Sequence, residues 1–406
     1  MLTFIPDIAE EHFEELQFLW SQRRNALRSV AYTMREMGML EERIEAHTRG
    51  LLVLGDELIG FVSDALNGGD ALSAFAAAYA LLRLGTPEAI ERVRDAFVGA
   101  EGKRLEGIRD ALAHGPAQPL IPTLRSLFTS APPPVGVAAG EALAFHQALH
   151  VTPEQLVPLL RDEHAAVRCG AWRIVANLGI GVASALYDTA LADDDPEVKA
   201  AALTAAAWSG YQGWLSHCYR IAKQPNPDGV GPMAMFAAVL PPHEYKAVTA
   251  LASTPGFGPA RYRIAAAFGH PVMVDFLLGE MQNPDPAAAA GAGAAFSKML
   301  GVAVESGTRI TVPPPNGATP DAFEAEFLEE VQLPDVARAR EHWEKVKPQL
   351  AQASRVAHGI DVSAGITRET FGLLDMESRR ELCLRARLTA GWQGTPLMLE
   401  EFPLRA

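Results

Sequence analysis

Residues 162–179 read DEHAAVRCGAWRIVANLG, and residues 193–210 read DDDPEVKAAALTAAAWSG. The two stretches align position for position: Asp162, Val167, Arg168 and Gly179 become Asp193, Val198, Lys199 and Gly210 after a shift of 31. The spacing recurs along the chain. Gly85, Gly115, Gly179, Gly210, Gly269 and Gly301 each close an apolar, helix-like run, at separations of 30, 64, 31, 59 and 32. The two long gaps are near double steps. A period of this size is what stacked helix pairs produce, because each pair carries an apolar face that only its neighbours can cover. The expected fold is all-α: an α-solenoid (αα-superhelix) of irregular helical pairs with helical segments capping both ends.

The unit around the first stretch shows the local logic. Thr152-Pro153-Glu154 reads as an N-cap followed by Pro at the first helical position, leading into Leu156, Leu159 and Leu160. Arg161-Asp162-Glu163-His164 is the turn. Val167, Ala171, Ile174, Val175 and Leu178 follow at offsets of 0, 4, 7, 8 and 11, one face of a second helix. Asp193-Asp194-Asp195-Pro196 and Asp285-Pro286 repeat the Asp cap and the Pro start. Longer breaks fall at 224–229 and 254–259.

Three segments are expected. Residues 1–66 form an N-terminal helical cap of two or three helices, with Phe13, Leu16, Trp20, Leu27 and Ala31 on one apolar stripe and a second helix from about Glu41 to Gly55. Residues 67–301 form the repeat array. Residues 302–406 begin with an alternating stretch around Gly307 that reads as a short hairpin, followed by the Pro-rich loop Pro313-Pro314-Pro315-Asn316-Gly317. An acidic helix over Asp321 to Asp335 is expected next, then helices over Val336–Leu350 and Thr367–Ala390.

Composition narrows the function classes. Of the 406 residues, 49% are hydrophobic, with Ala dominating, and 21% are charged, which suits closely stacked helices and excludes overall disorder. A formal net charge of -14 weighs against gripping phosphate backbones, so nucleic acid is not the expected partner. The three scattered cysteines, Cys169, Cys218 and Cys383, offer neither a disulfide framework nor a metal knuckle. The chain starts with acidic residues where a signal peptide needs basic ones, and no apolar run reaches membrane-span length. A cytoplasmic location without membrane insertion is the expectation.

The Asp-Pro and Asp-x-x-x-x-Val-Arg turns between paired helices resemble those of HEAT-type repeats. The runs His12-Phe-Glu-Glu15, Leu19-Trp20, Arg23-Arg24, Glu42 to His47, Gln332 to Asp335 and His342-Trp343 are similar to an uncharacterised HEAT-repeat family of proteobacteria, some members of which sit beside type VI secretion genes. The resemblance implies a solenoid whose concave face binds another macromolecule, and a role accessory to a secretion or effector system.

His12 and Glu15 share a helical face and His47 lies on the next helix; this set reads either as metal or acid–base ligands, or as an interhelical hydrogen-bond cluster with Arg23 or Arg43 as carboxylate partners. The structural reading is preferred, because no HExxH spacing is present. Asp193, Asp194 and Asp195 read as a capped turn before a cation site. His217-Cys218 and Cys169 read as packing. Trp208, Tyr211 and Trp214, together with Glu326, Glu329 and Glu330 of the acidic stretch, are the candidate partner-binding residues. No catalytic, cofactor or metal residue is assigned. The expected function is a non-enzymatic protein–protein interaction scaffold or adaptor. The alternative is an enzyme on HEAT-like repeats, of the DNA glycosylase or lyase kind, and a third reading is self-association through an exposed apolar patch.

Overall fold

The computed structural model describes residues 6–27, 29–312, 328, 330–365 and 367–389. Among these, 22 α-helices account for most of the chain, and the strands are two short antiparallel pairs. The chain forms two compact units that divide at Trp214–Leu215, inside the expected 67–301 array.

In the first unit the long helices pack in chain order. Ala71–Leu84 lies on Gly102–His114, that helix on Pro133–Phe145, the next on Ala165–Leu178, and the last on Pro196–Ser209. Shorter helices fill the intervals: Pro87–Val98 packs on the first two, while Ile121–Ser130, Pro153–Leu160 and Ser184–Ala190 each pack on the long helix that follows. The N-terminal helices Pro6–Ala26 and Met34–Leu52 pack on each other and both on Ala71–Leu84. Met34–Leu52 begins earlier than its apolar pattern suggests. Thr33 accepts from Arg35 N and Glu36 returns to Thr33 N, a capping box that starts the helix about two turns upstream.

The second unit also packs its helices in series. Val230–Val239 packs on Tyr262–Phe268, and that helix on Pro286–Leu300, with Tyr245–Ala252 and Val272–Glu280 between them. Val336–Leu350 forms as expected and packs on Val272–Glu280, where Trp343 Nε1 donates to Asp275 at 2.8 Å. The expected helix over 367–390 is two helices, Arg368–Leu373 and Met376–Leu388, because Asp375 turns its carboxylate to Ser378 N and starts a new one.

Three turns share one geometry. Asp162 Oδ1 accepts from His164 N at 2.9 Å, Asp193 Oδ1 from Asp195 N at 2.9 Å, and Asn283 Oδ1 from Asp285 N at 3.0 Å. The caps proper are Asp195 and Asp285, two residues later. Five of the six spaced glycines, Gly85, Gly179, Gly210, Gly269 and Gly301, close their helices in the left-handed region at φ between 61° and 81°. Gly115 does not: it is extended, and an added Cβ there would lie 2.8 Å from Ala111 O.

After Gly301 the expected hairpin around Gly307 is absent. Glu305–Thr311 runs through Gly307 as one strand and pairs antiparallel with Glu330–Pro334, with the register shifted between Glu305 and Arg309. The last part of the expected acidic helix is therefore a strand. Asp321 to Phe327 lie outside the described residues.

Helix packing in the first unit is close enough to exclude a methyl group. A Cβ built on Gly107 would lie 2.1 Å from Ala71 O, whereas one on Gly60 meets nothing within 4 Å. Gly107→Ala is expected to cost about 1–3 kcal/mol by overpacking, and Gly60→Ala to gain roughly 0.5–1 kcal/mol from helix propensity, both read from chemical denaturation of the whole chain.

Candidate functional site

The two N-terminal helices bring His12 and His47 together, with their Nδ1 atoms 3.1 Å apart and the rings edge to face. Arg43 reaches Glu15 at 3.5 Å across the same seam, and the buried Arg23 donates to Glu41 at 3.1 Å. These contacts match the interhelical cluster expected from the sequence. Burial first, and then the neighbouring His12, pushes His47 below the usual imidazole range. Among the described residues no three His, Cys, Asp or Glu side chains converge as a metal site.

The aspartate run is occupied by the fold. Asp193 takes a bidentate contact from Arg168, at 2.8 and 2.9 Å, and Asp195 caps the helix that follows. The three cysteines are free and buried. Burial pushes the Cys218 and Cys383 thiols up to about 12, far from a reactive thiolate at neutral pH.

The aromatic candidates require a correction. Trp208 and Trp214 are each 1% exposed, so neither side chain offers a surface anchor. Tyr211 is half-buried: its ring stacks on Tyr187 at 4.6 Å, and its hydroxyl donates to Asp188 at 2.8 Å. Both indole rings are enclosed by the fold, Trp208 at the end of the Pro196–Ser209 helix and Trp214 at the start of Gly213–Lys223. Of the acidic candidates, Glu326 and Glu329 lie outside the described residues. Glu330 is exposed on its strand and faces Arg309 of the paired strand at 3.8 Å.

The second unit contains a buried charged cluster that the sequence did not disclose. Lys298, 4% exposed, donates to Glu381 at 2.6 Å and lies 3.3 Å from Glu377, which also receives Arg263 at 2.8 Å. The fully buried Asp375 lies next in line, with Oδ2 3.8 Å from His358 Nδ1. A cavity of about 20 Å³ opens beside Glu381, lined also by Phe268, Arg355 and Arg385, room for a single water. Burial pushes Glu381 up to about 7, with Lys298 partly opposing and Glu377 adding to the rise. No local pattern marks this set, because its members lie on helices 83 residues apart.

Beside it, Arg355 is buried with its guanidinium donating to two helix-end carbonyls, Phe268 O and Leu240 O, and lying over the Phe268 ring at 4.3 Å. Burial, reinforced by Arg385, pushes Arg355 down to about 9.

No protein-family model matches the chain, and no curated protein matches it. Among the described residues no helix is long and apolar enough to cross a membrane.

Two outcomes follow from this geometry. Trp214→Ala is expected to cost about 3–5 kcal/mol of stability, as for a buried Trp, measured by denaturant unfolding. For Glu381 the folded pKa of about 7 exceeds the ordinary 4.5, so the folded state binds more protons between those values and this group lowers stability as pH rises through them. Thermal melts from pH 4.5 to 8 should show wild type falling by several degrees relative to Glu381→Gln up to about pH 7 and running parallel above it; a constant offset would mean that Lys298 keeps Glu381 ionised throughout.

Proposed function

We propose that the chain is an α-solenoid of HEAT-like repeats and a non-enzymatic protein-interaction scaffold. Support for the architecture comes from the serial packing of helices in both units and from the turn geometry shared by Asp162, Asp193 and Asn283. The similarity of the chain ends to proteobacterial HEAT-repeat proteins beside type VI secretion genes makes a secretion or effector complex the setting to search first.

The observation that carries the functional reading is the ribbon. All seven residues of Glu305–Thr311 are exposed, while its partner strand Glu330–Pro334 packs on the Pro286–Leu300 helix. A strand that buries no side chain adds little to a core, and two-stranded ribbons are marginal alone. Its ordering through a neighbouring strand suits recognition by main-chain groups and by Arg309, Ile310 and Glu330. Glu330 is the one partner-binding candidate that the structure both describes and leaves exposed. The enzymatic alternative would draw on the Lys298–Glu381 cluster, but the space beside it has room for a water rather than for a pigment or a flipped base.

The test is affinity purification from the native host with three ribbon variants: Glu330→Arg, Arg309→Glu, and the double exchange. The double exchange keeps the intra-ribbon ion pair and inverts the surface. A stoichiometric protein recovered with wild type and lost with all three supports the scaffold and places its contact on the ribbon. Recovery by every variant moves the contact elsewhere, and wild type returning alone, or with a small molecule or nucleic acid, overturns the scaffold.

A further inference from the structure

We propose that His12 and His47 form a chelating site for a divalent transition metal of the zinc class, with Glu15 as the third protein ligand. The proposal is independent of the scaffold reading.

Zinc–imidazole bonds of about 2.0–2.1 Å at a near-tetrahedral angle hold two ligand nitrogens roughly 3.3 Å apart. The two Nδ1 atoms stand 3.1 Å apart, already at that bite. In the metal-free pair one Nδ1–H donates to the other nitrogen. On binding, the ring carrying that hydrogen moves it to Nε2, both Nδ1 lone pairs face the ion, and no proton is lost. Imidazole and carboxylate are competent ligands for Zn²⁺, Ni²⁺ and Co²⁺.

Two further observations point to the same place. Glu15 follows His12 by one helical turn, the His-x-x-Glu spacing that sets both side chains on one face. Its Oε2 atom is buried and accepts no hydrogen bond, with Arg43 standing off at 3.5 Å. That oxygen is held only by the long ion pair to the exposed Arg43, a contact that a metal ion can replace. The His12 ring also rests against bare backbone: a Cβ on Gly50 would lie 2.3 Å from its Cδ2. Glycine at 50 is what lets the ring reach His47. In the present rotamers only the two nitrogens converge, so Glu15 closes the site by a side-chain rotation away from Arg43, and water completes the shell.

The test uses the untagged full chain, with Zn²⁺ titrated calorimetrically and Co²⁺ followed by its visible absorption. One equivalent of ion should bind wild type, raise its melting temperature, and give the Co²⁺ spectrum of a nitrogen–oxygen site. His47→Ala and His12→Ala should each lose at least tenfold in affinity, Glu15→Gln several-fold, and Gly50→Ala should weaken binding by displacing the His12 ring. His12→Asn and His47→Asn retain a polar contact across the seam, so an unchanged melt with lost binding separates ligation from folding. Wild type binding no tighter than the His12→Ala/His47→Ala double variant, or a Co²⁺ spectrum unchanged in that variant, overturns the site.

Discussion

The constraint on which the rest of the molecule depends is the close approach of neighbouring helix backbones. Gly107 passes Ala71 O with no room for a methyl, and in the second unit Gly291 passes Pro259 O in the same way. Contacts this close explain the Ala-rich composition better than helix propensity does. Along Ala71–Leu84, every residue from Ala74 to Leu82 is buried, and five of those nine are alanine. Small side chains bring many backbone and Cβ atoms into van der Waals range at once, each worth little and together much. The large side chains work at the margins: Trp20 stacks on Phe75 at 3.8 Å, and Trp172 leads through Tyr187 to Tyr211.

A contact surface made of methyl groups is smooth, and smooth surfaces slide. Register must come from something more directional, and charged groups between the helices supply it. Arg109 donates to Glu141 at 3.1 Å, and Arg173 approaches the other oxygen of Glu141 at 3.5 Å. The three residues occupy successive long helices at intervals of 32 residues with alternating sign. Sliding one helix by a turn would leave Glu141, 7% exposed, without partners. Breaking such a pair from one side costs about 3–5 kcal/mol, although a well-packed apolar replacement could cost nothing. The ladder thus contributes more to uniqueness than to net stability. Arg168, bound to Asp193 of the next turn and to the carbonyls of Asp162 and Glu163, makes the same kind of link at the helix ends.

The helical class and the local units were legible in the sequence because their causes are local. A Pro start after a Thr or Asp cap, a 3.6-residue apolar face and a left-handed glycine stop all act within a single helix, and Pro153–Leu160 with Ala165–Leu178 lie where those signals put them. Failures arose where a distant residue decides. Glu330–Pro334 ends the acidic stretch expected to be helical, yet it is a strand because Glu305–Thr311 and the Pro286–Leu300 helix hold it. Trp208 and Trp214 sit near glycines, which resembles an exposed loop, but tertiary packing encloses both. The His12–His47 seam was legible because two helices joined by a short turn can only pack antiparallel. Lys298 and its carboxylates were not, although the 32-residue alternation of Arg109, Glu141 and Arg173 was a signal present in the sequence.

The segment after Val336–Leu350 shows how this architecture disposes of its helix ends. An α-helix leaves its last carbonyls without internal partners, and a row of parallel helices presents them side by side. Arg355 answers two, at Leu240 and Phe268; Val356 N answers Gly269 O; His358 N and Gly359 N answer Lys298 O and Met299 O. One short stretch of chain therefore serves the carbonyl ends of three helices that pack in series. A guanidinium suits the task because its fork reaches two acceptors at once and its charge complements the negative ends of the helix dipoles. Burying it is costly, as its lowered pKa shows, and the Phe268 ring beneath it offsets part of that cost. Gly269 and Gly301 gain a second reason to be glycine, since Val356 O and His358 O pass within 2.7 and 2.9 Å of where their Cβ atoms would stand. The helix ends of the second unit are thus closed by its own chain through main-chain bonds. The Glu305–Thr311 strand differs: its side chains meet solvent along its whole length, with no segment among the described residues laid over them as Arg355 to Gly359 is laid over the helix ends.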